Sequence, residues 1–414
     1  MPKLISVLYQ VTRAAFAVAL FALGTQIYIR AVVNDIESHV PKGSTSTQPS
    51  PSNILANDSS LHSLTELIFG DTRLSRLQRI LADMPAAYRA YFESHDQLTV
   101  FAPVDEAYDL ETFEWDNPNF YWMFLEAYHY VIGNFSLEDL AAKPTVPAVL
   151  WADIYMSYRQ RISTQLLSSD TVKLNHRATI VKPSLKAKNG YLHYVDRVMM
   201  MPISTAYVTR NWPEFTLLRK GLDDTGLAVI VNDTSTHNGQ TLFAPSNRAF
   251  AKLGKDVTDF LFGPWGRECL RALLKYHVVA NETLFTDSHF KANGRGPGLI
   301  NNEVAPGFEL NMSTMIPPLQ LKANIHYNRE RGSGKIRVND EVDVTQPDIV
   351  VQDGVIHGID DIIFPPKLGA STTKDGQGSI SIWDKIKVKL FGTKTTMTVE
   401  DIMERFQPYL DQTL

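Results

Sequence analysis

One cysteine, Cys269, stands in 414 residues. A chain with a single thiol cannot close a disulfide on itself, which excludes the small disulfide-stapled scaffolds. Basic charge is not in excess either: 40 Lys and Arg face 45 Asp and Glu, for a net charge of −5. Nothing is basic enough to suggest nucleic acid as a partner. No apolar run reaches the ~20 residues that a membrane span needs. There is no phosphate-cradling glycine loop, zinc-ligand spacing or nucleophile motif. Gly294–Gly298 (GRGPG) follows no clear strand and opens no helix, so it reads as a loop.

What is present is a globular composition, 44% hydrophobic and 21% charged, long enough for two or three domains. Lys3 and Arg13 precede an apolar stretch, Ala14–Leu23, which Gly24, Thr25 and Gln26 end. A basic flank before a short apolar stretch reads as a signal peptide over residues 1–26, or a signal anchor if it is retained. Residues 27–60 (including VPKGSTSTQPSPSN) cluster Pro, Ser, Thr and Gly without an apolar period and read as a linker. Five N-x-Ser/Thr sequons, at Asn57, Asn134, Asn232, Asn281 and Asn311, become glycosylation sites if the chain enters the secretory route. Cys269 lies on one helical stripe with Leu273 and Tyr276 and reads as a small core residue.

The body is an internal repeat. LTVFAPVDEAY (Leu98–Tyr108) returns as QTLFAPSNRAF (Gln240–Phe250), AYHYVIGN (Ala127–Asn134) as KYHVVAN (Lys275–Asn281), and NGYLHYVDRVMMMP (Asn189–Pro202) as DGVIHGIDDIIFPP (Asp353–Pro366), in the same order. The copies span 61–203 and 211–367. In TLFAP the β-favouring residues make a short strand that Pro245 ends, because proline cannot donate to a ladder. Ser246 or Asn247 then caps a helix, and Asp105 is the candidate cap in copy one. The Tyr-His pairs, Tyr128-His129 and Tyr276-His277, close a second helix. Asn189-Gly190 and Asp353-Gly354 favour tight hairpin turns. Short strands mixed with separate helices indicate an α+β domain.

These landmarks resemble the fasciclin-like domain, with its TLFAPSN-AF motif, central Tyr-His motif and NGVIHVID-x-VLLPP motif. Copy two matches all three. Copy one departs at Val104 and Asp105, where the family prefers Ser or Thr and Asn, at Tyr191, and at Met199, Met200 and Met201 before a single Pro202. It also carries an insertion, PAAYRAYFESHD, over 85–96. The resemblance implies two tandem wedges of β-sheet packed with helices, in a protein that is extracellular, usually glycosylated and typically non-catalytic. Family members act in adhesion and matrix contacts. Some fungal ones stand beside secreted oxidases, notably laccases, in the oxidative coupling of polyketide pigments and toxins, and others work at the vacuole.

The repeated His129, His193 and Asp196, and His277, His357 and Asp360, could in principle hold a metal or run acid–base chemistry. His357 alternates with Val355 and Ile359, a core pattern, and Tyr276-His277 ends an apolar helix. Structural roles are therefore expected, with no catalytic residue, cofactor or metal. The aromatics Trp115, Phe120, Tyr121 and Trp122 of copy one read as core, with an unrecognised biosynthetic enzyme as the competing view. After Pro366 a flexible linker, LGASTTKDGQGS, leads through SISIWDKIKVKLFG to a capping-box-like Thr398 and Asp401. There Ile402, Met403, Phe406 and Leu410 make an apolar face that either docks on the body or meets a partner. No hydrophobic stretch ends the tail, so no glycolipid anchor is expected. The expected partners are other secreted proteins, an oxidase among them, or matrix components, with the membrane involved only through a retained N-terminal segment.

Overall fold

The computed structural model describes residues 62–83, 97–110, 128–151, 158–168, 171–292, 307–328, 333–365 and 397–410. The N-terminal apolar stretch, the 27–60 linker, Asn57, the 85–96 insertion, the aromatics at 115–122, the GRGPG loop and the 366–396 tether lie outside the described residues. The rest folds as two compact units. The first takes the described residues of Met1–Met123 with Ile132–Ser136 and Val181–Arg197; the second takes those of Phe124–Val131, Leu137–Ile180 and Val198–Leu414. The division thus runs through copy one, and each unit is α+β.

In the first unit, Leu98–Pro103 pairs in parallel with Gly190–Val195, in register from Leu98 with Gly190 to Pro103 with Val195. All six residues of the first strand are buried, as parallel pairing demands. Gly190 is required by close approach: a Cβ there would lie 1.7 Å from the Leu98 carbonyl oxygen. Helix Leu64–Phe69 begins with a capping box, in which the Ser63 hydroxyl accepts from the Glu66 amide and the Glu66 carboxylate accepts from the Ser63 amide.

The second unit holds the remaining strands of copy one and all of copy two. Thr145–Trp151, Arg159–Ser168, Thr171–Leu174 and the start of Ala178–Ala187 form an antiparallel run. Copy two is a seven-stranded sheet in the order Phe308–Ser313, Gln320–Asn328, Ser333–Val338, Val342–Val351, Gly354–Ile359, Gln240–Pro245, Val278–Ala280. Its parallel pair is again Gly354–Ile359 with Gln240–Pro245. Gly354 repeats the constraint of Gly190, since a Cβ there would lie 2.0 Å from the Gln240 carbonyl oxygen. The helices, among them Thr216–Asp224, Asn247–Lys252, Lys255–Leu261 and Arg267–Tyr276, bury their apolar stripes on this sheet in one continuous core. Cys269 is buried there as a free thiol.

Three local expectations need correction or choice. Ser246, not Asn247, caps Asn247–Lys252, its hydroxyl accepting from the Ala249 amide. Asp105 does not cap its own helix: Val104 holds the cap position without a side-chain bond. The Asp105 carboxylate instead accepts from the Ser75 amide and hydroxyl and the Arg76 amide, capping the neighbouring helix Ser75–Asp83. Asn247 does the same in copy two, accepting from the Leu217 amide at the start of Thr216–Asp224. The C-terminal helix Val399–Leu410 buries Ile402, Phe406 and Tyr409 in the copy-two core, while Met403 points outward. Spacings of four and three put 402, 406 and 409 on one stripe and turn 403 away from it. Thr398 and Asp401 exchange bonds at its start, each accepting from the other's amide.

Candidate functional site

The repeated polar residues converge on a hydrogen-bond skeleton that is built twice. Buried His277 donates from Nδ1 to the Leu273 carbonyl, 2.8 Å, and accepts at Nε2 from the Ile363 amide, 3.0 Å. It therefore ties the end of Arg267–Tyr276 to the last motif, just beyond strand Gly354–Ile359. In copy one, His129 Nε2 accepts from the Met199 amide, 2.9 Å. The tyrosines beside them also match. Tyr276 donates its hydroxyl to the Gln320 carbonyl and receives Asn339, and Tyr128 donates to the Arg161 carbonyl and receives Asn175. Both asparagines sit in the left-handed region, at φ 51° and 48°, which suits asparagine in a tight turn.

The second histidine of each copy works with a threonine that the motif comparison did not single out. Thr241 accepts the Leu284 amide, 2.9 Å, and His357 Nε2 donates to the Leu284 carbonyl, 2.6 Å. Thr99 accepts the Phe135 amide, 2.9 Å, and His193 Nε2 donates to the Phe135 carbonyl, 2.8 Å. The two strands of the parallel pair thus clamp both polar groups of one residue beyond the Tyr-His motif. The signal for the threonines was their repetition beside Phe-Ala-Pro. Desolvation lowers His193, His277 and His357 to about 4, so all three are neutral near pH 7. Their two ring nitrogens are both engaged, which leaves none facing a substrate or ion. Among the described residues, no group of three or more His, Cys, Asp or Glu is placed to hold a metal.

Asp360 accepts the Ser246 hydroxyl at 2.6 Å, joining the first motif to the last. Asp196 is its counterpart in copy one, where Val104 offers no hydroxyl. The four described sequon asparagines, Asn134, Asn232, Asn281 and Asn311, are exposed. Asn134 and Asn281 occupy the same turn after the Tyr-His motif, and Asn311 lies on Phe308–Ser313, the edge strand of the sheet.

The model of the fasciclin domain matches residues 72–202 and 213–365. The chain belongs to the fasciclin family. It is similar to the Aurofusarin biosynthesis cluster protein S of Gibberella zeae, 35% identical over 84% of this chain and 86% of that one. Stabilin-2 of Mus musculus is 24% identical over 44% of this chain and 7% of its own length. The fasciclin-like arabinogalactan protein of Arthroderma benhamiae is 26% identical over 46% of this chain and 37% of its own. Among solved structures, the chain is similar to the FAS1 domain pair from the insect cell adhesion molecule fasciclin I. That match has 18% identity and a TM-score of 0.36, over 70% of this chain and 96% of that one. No described helix is long and apolar enough to cross a membrane.

The two fasciclin copies differ where motif reading was silent. His193 Nδ1 accepts the Ser184 hydroxyl, whereas His357 Nδ1 accepts the backbone amide of Asp348, which follows Pro347 as Ser184 follows Pro183. Asp348 lies at φ 58°, and its wholly buried carboxyl accepts the Thr286 amide at 2.9 Å and contacts the Thr286 hydroxyl. Burial first, and then the Asp287 charge, push it up to about 7. Asp287 accepts the Thr145 amide and hydroxyl and pairs with Arg161 at 3.5 Å. Arg161 and Asp287 are far apart in sequence, so no local pattern announces them. A second buried pair, His237 with Asp353 at 2.8 Å, also carries Gln240, which donates to the same carboxylate oxygen.

Proposed function

We propose that this fasciclin protein is a secreted, non-catalytic glycoprotein that acts by protein–protein contacts, as an accessory to a secreted oxidase such as a laccase. The setting is oxidative coupling during polyketide pigment or toxin biosynthesis. One observation carries the reading: the relative named for the aurofusarin biosynthesis cluster is similar over most of both chains, so the likeness reaches past a single shared domain. The internal use of the repeated histidines supports a holding role over a chemical one. Fold alone does not fix function, and the family hosts adhesion proteins too.

The test is metabolite profiling of a deletion strain, with attachment measured alongside. The reading expects a changed pigment or metabolite profile, restored by the intact gene, with normal attachment. Altered attachment with an unchanged profile overturns it in favour of adhesion. Turnover of a pathway intermediate by the purified protein alone overturns it in favour of an enzyme.

A further inference from the structure

Helices Thr205–Asn211 and Leu227–Val231 are joined through one asparagine. Asn232 ends the second helix, and its Oδ1 accepts the Ala206 amide of the first, 3.1 Å. Each helix buries one face in the copy-two core, Val208 from the first and Leu227 and Val231 from the second. Apolar side chains remain on the outside too. Val229 is 74% exposed and Tyr207 55%, and Ile203, just ahead of the first helix, is exposed as well. Asn232 opens the sequon Asn232-Asp233-Thr234. We propose that the glycan carried by Asn232 lies over this apolar patch, with its first N-acetylglucosamine seated on Tyr207 and Val229.

The placement follows from the fixed amide. Residues three apart on a helix are surface neighbours, so Asn232 stands beside Val229. Helical side chains lean toward the N-terminus of their helix, so the Tyr207 ring leans toward the end where Ala206 holds Asn232. The bond to Ala206 uses Oδ1 alone, which leaves Nδ2 of the same planar amide as the attachment point. Glycan transfer joins Nδ2 to the anomeric carbon of the sugar, breaks that carbon's bond to its lipid pyrophosphate carrier and releases one Nδ2 proton. Oδ1 is untouched, so the bond to Ala206 persists. A pyranose presents a face of weakly positive C–H groups, which suits the negative face of a tyrosine ring. Exposed apolar residues gathered at one spot, rather than scattered singly, mark a surface that something covers. A cover tethered at the patch acts at high effective concentration, and no separate partner has to be recruited. Asn281 is pinned in the same way, its Oδ1 accepting the Asn238 amide. Among the described residues, however, no large exposed apolar side chain stands within a helical turn's length of Asn281 in sequence.

Glycosylation of Asn232 rests on the secretory reading proposed above, and the test keeps the two apart. The full chain is recovered from a secretory eukaryotic host, and glycopeptide mass spectrometry reads each sequon. Tyr207 is then nitrated with tetranitromethane, and its rate is followed on its own peptide. Thr234→Ala removes the sequon but keeps Asn232 and its bond to Ala206, so it presents the same surface without sugar. Tyr207 should react several-fold more slowly in wild type than in Thr234→Ala. Trimming the wild-type glycan to its first sugar should keep most of that protection. Ser313→Ala, which removes the Asn311 sequon instead, should leave the Tyr207 rate as in wild type. Equal rates in wild type and Thr234→Ala overturn the cover, as does loss of protection on trimming or an equal rise in Ser313→Ala. Asn232 bare while other sequons carry sugar overturns it and leaves the glycoprotein reading standing. Every sequon bare overturns both.

Discussion

Acidification from pH 8 to pH 5 probes the copy-two core most directly. His277 and His357 take up protons near 6.5 when unfolded but only near 4 when folded. The unfolded chain therefore binds more protons in that window, so stability present above 6.5 is lost as pH falls. Over the whole window each ring is worth ~3 kcal/mol, and at pH 5 the pair together costs ~4 kcal/mol. Asp348 works in the opposite direction. Its folded pKa lies above the ordinary 3.8, so it stabilises the folded state in acid and that contribution fades as pH rises through about 7. At pH 5 it returns ~3 kcal/mol, leaving a net loss of ~1 kcal/mol. Asp348→Asn removes the counterweight, so the variant should lose ~4 kcal/mol over the same interval. Urea unfolding at four pH values from 5 to 8, followed by the fluorescence of Trp212 and Trp265, measures both slopes. Staying at or above pH 5 keeps ordinary carboxylates ionised. Equal slopes in wild type and variant, or a shallower slope in the variant, would refute the account. A total of ~4 kcal/mol is a large part of a typical domain's ~5–15 kcal/mol, so the effect is well within reach of the assay.

Other expectations follow from single contacts. Ser246→Ala removes the helix cap and the bond to Asp360, and should lower copy-two stability by ~1–3 kcal/mol, with Ser246→Thr restoring most of it; an unchanged urea midpoint would count against the link. Phe406→Ala empties a buried position under the C-terminal helix and should cost ~3–5 kcal/mol of its docking, read as new proteolytic cleavage within 397–410; continued protection would mean that Ile402 and Tyr409 suffice. Asn134 and Asn281 should both carry glycans in protein recovered from a secretory host, and glycopeptide mass spectrometry finding both bare would sink the idea that this turn is sugar-covered in each copy.

Much of the fold was legible because its signals are local. The Phe-Ala-Pro strand ends, the Tyr-His pairs and the Asp-Gly and Asn-Gly turns each follow from neighbouring residues and the backbone geometry they permit. Their repetition in one order established two fasciclin copies. Helix faces were legible to within a residue: Met403 was placed on the apolar stripe because its side chain is apolar, yet the helical period turns it outward. The cap at Asp105 was misassigned for a different reason. A carboxylate at a helix start can serve the adjacent helix as easily as its own, and only the position of Ser75 and Arg76 decides which amides it meets.

The sequence by itself determined the repeat, the α+β class and the residues that recur. The tertiary structure decided what those residues do. Thr241 and His357 become a clamp only when the parallel strands bring them to opposite polar groups of Leu284. Asp348, an unremarked acid after a proline, becomes a carboxyl near 7 only when folding removes its water and sets Asp287 nearby. Secondary structure responds to neighbours along the chain. Desolvation and charge pairing respond to neighbours in space, and those exist only once the strands have met.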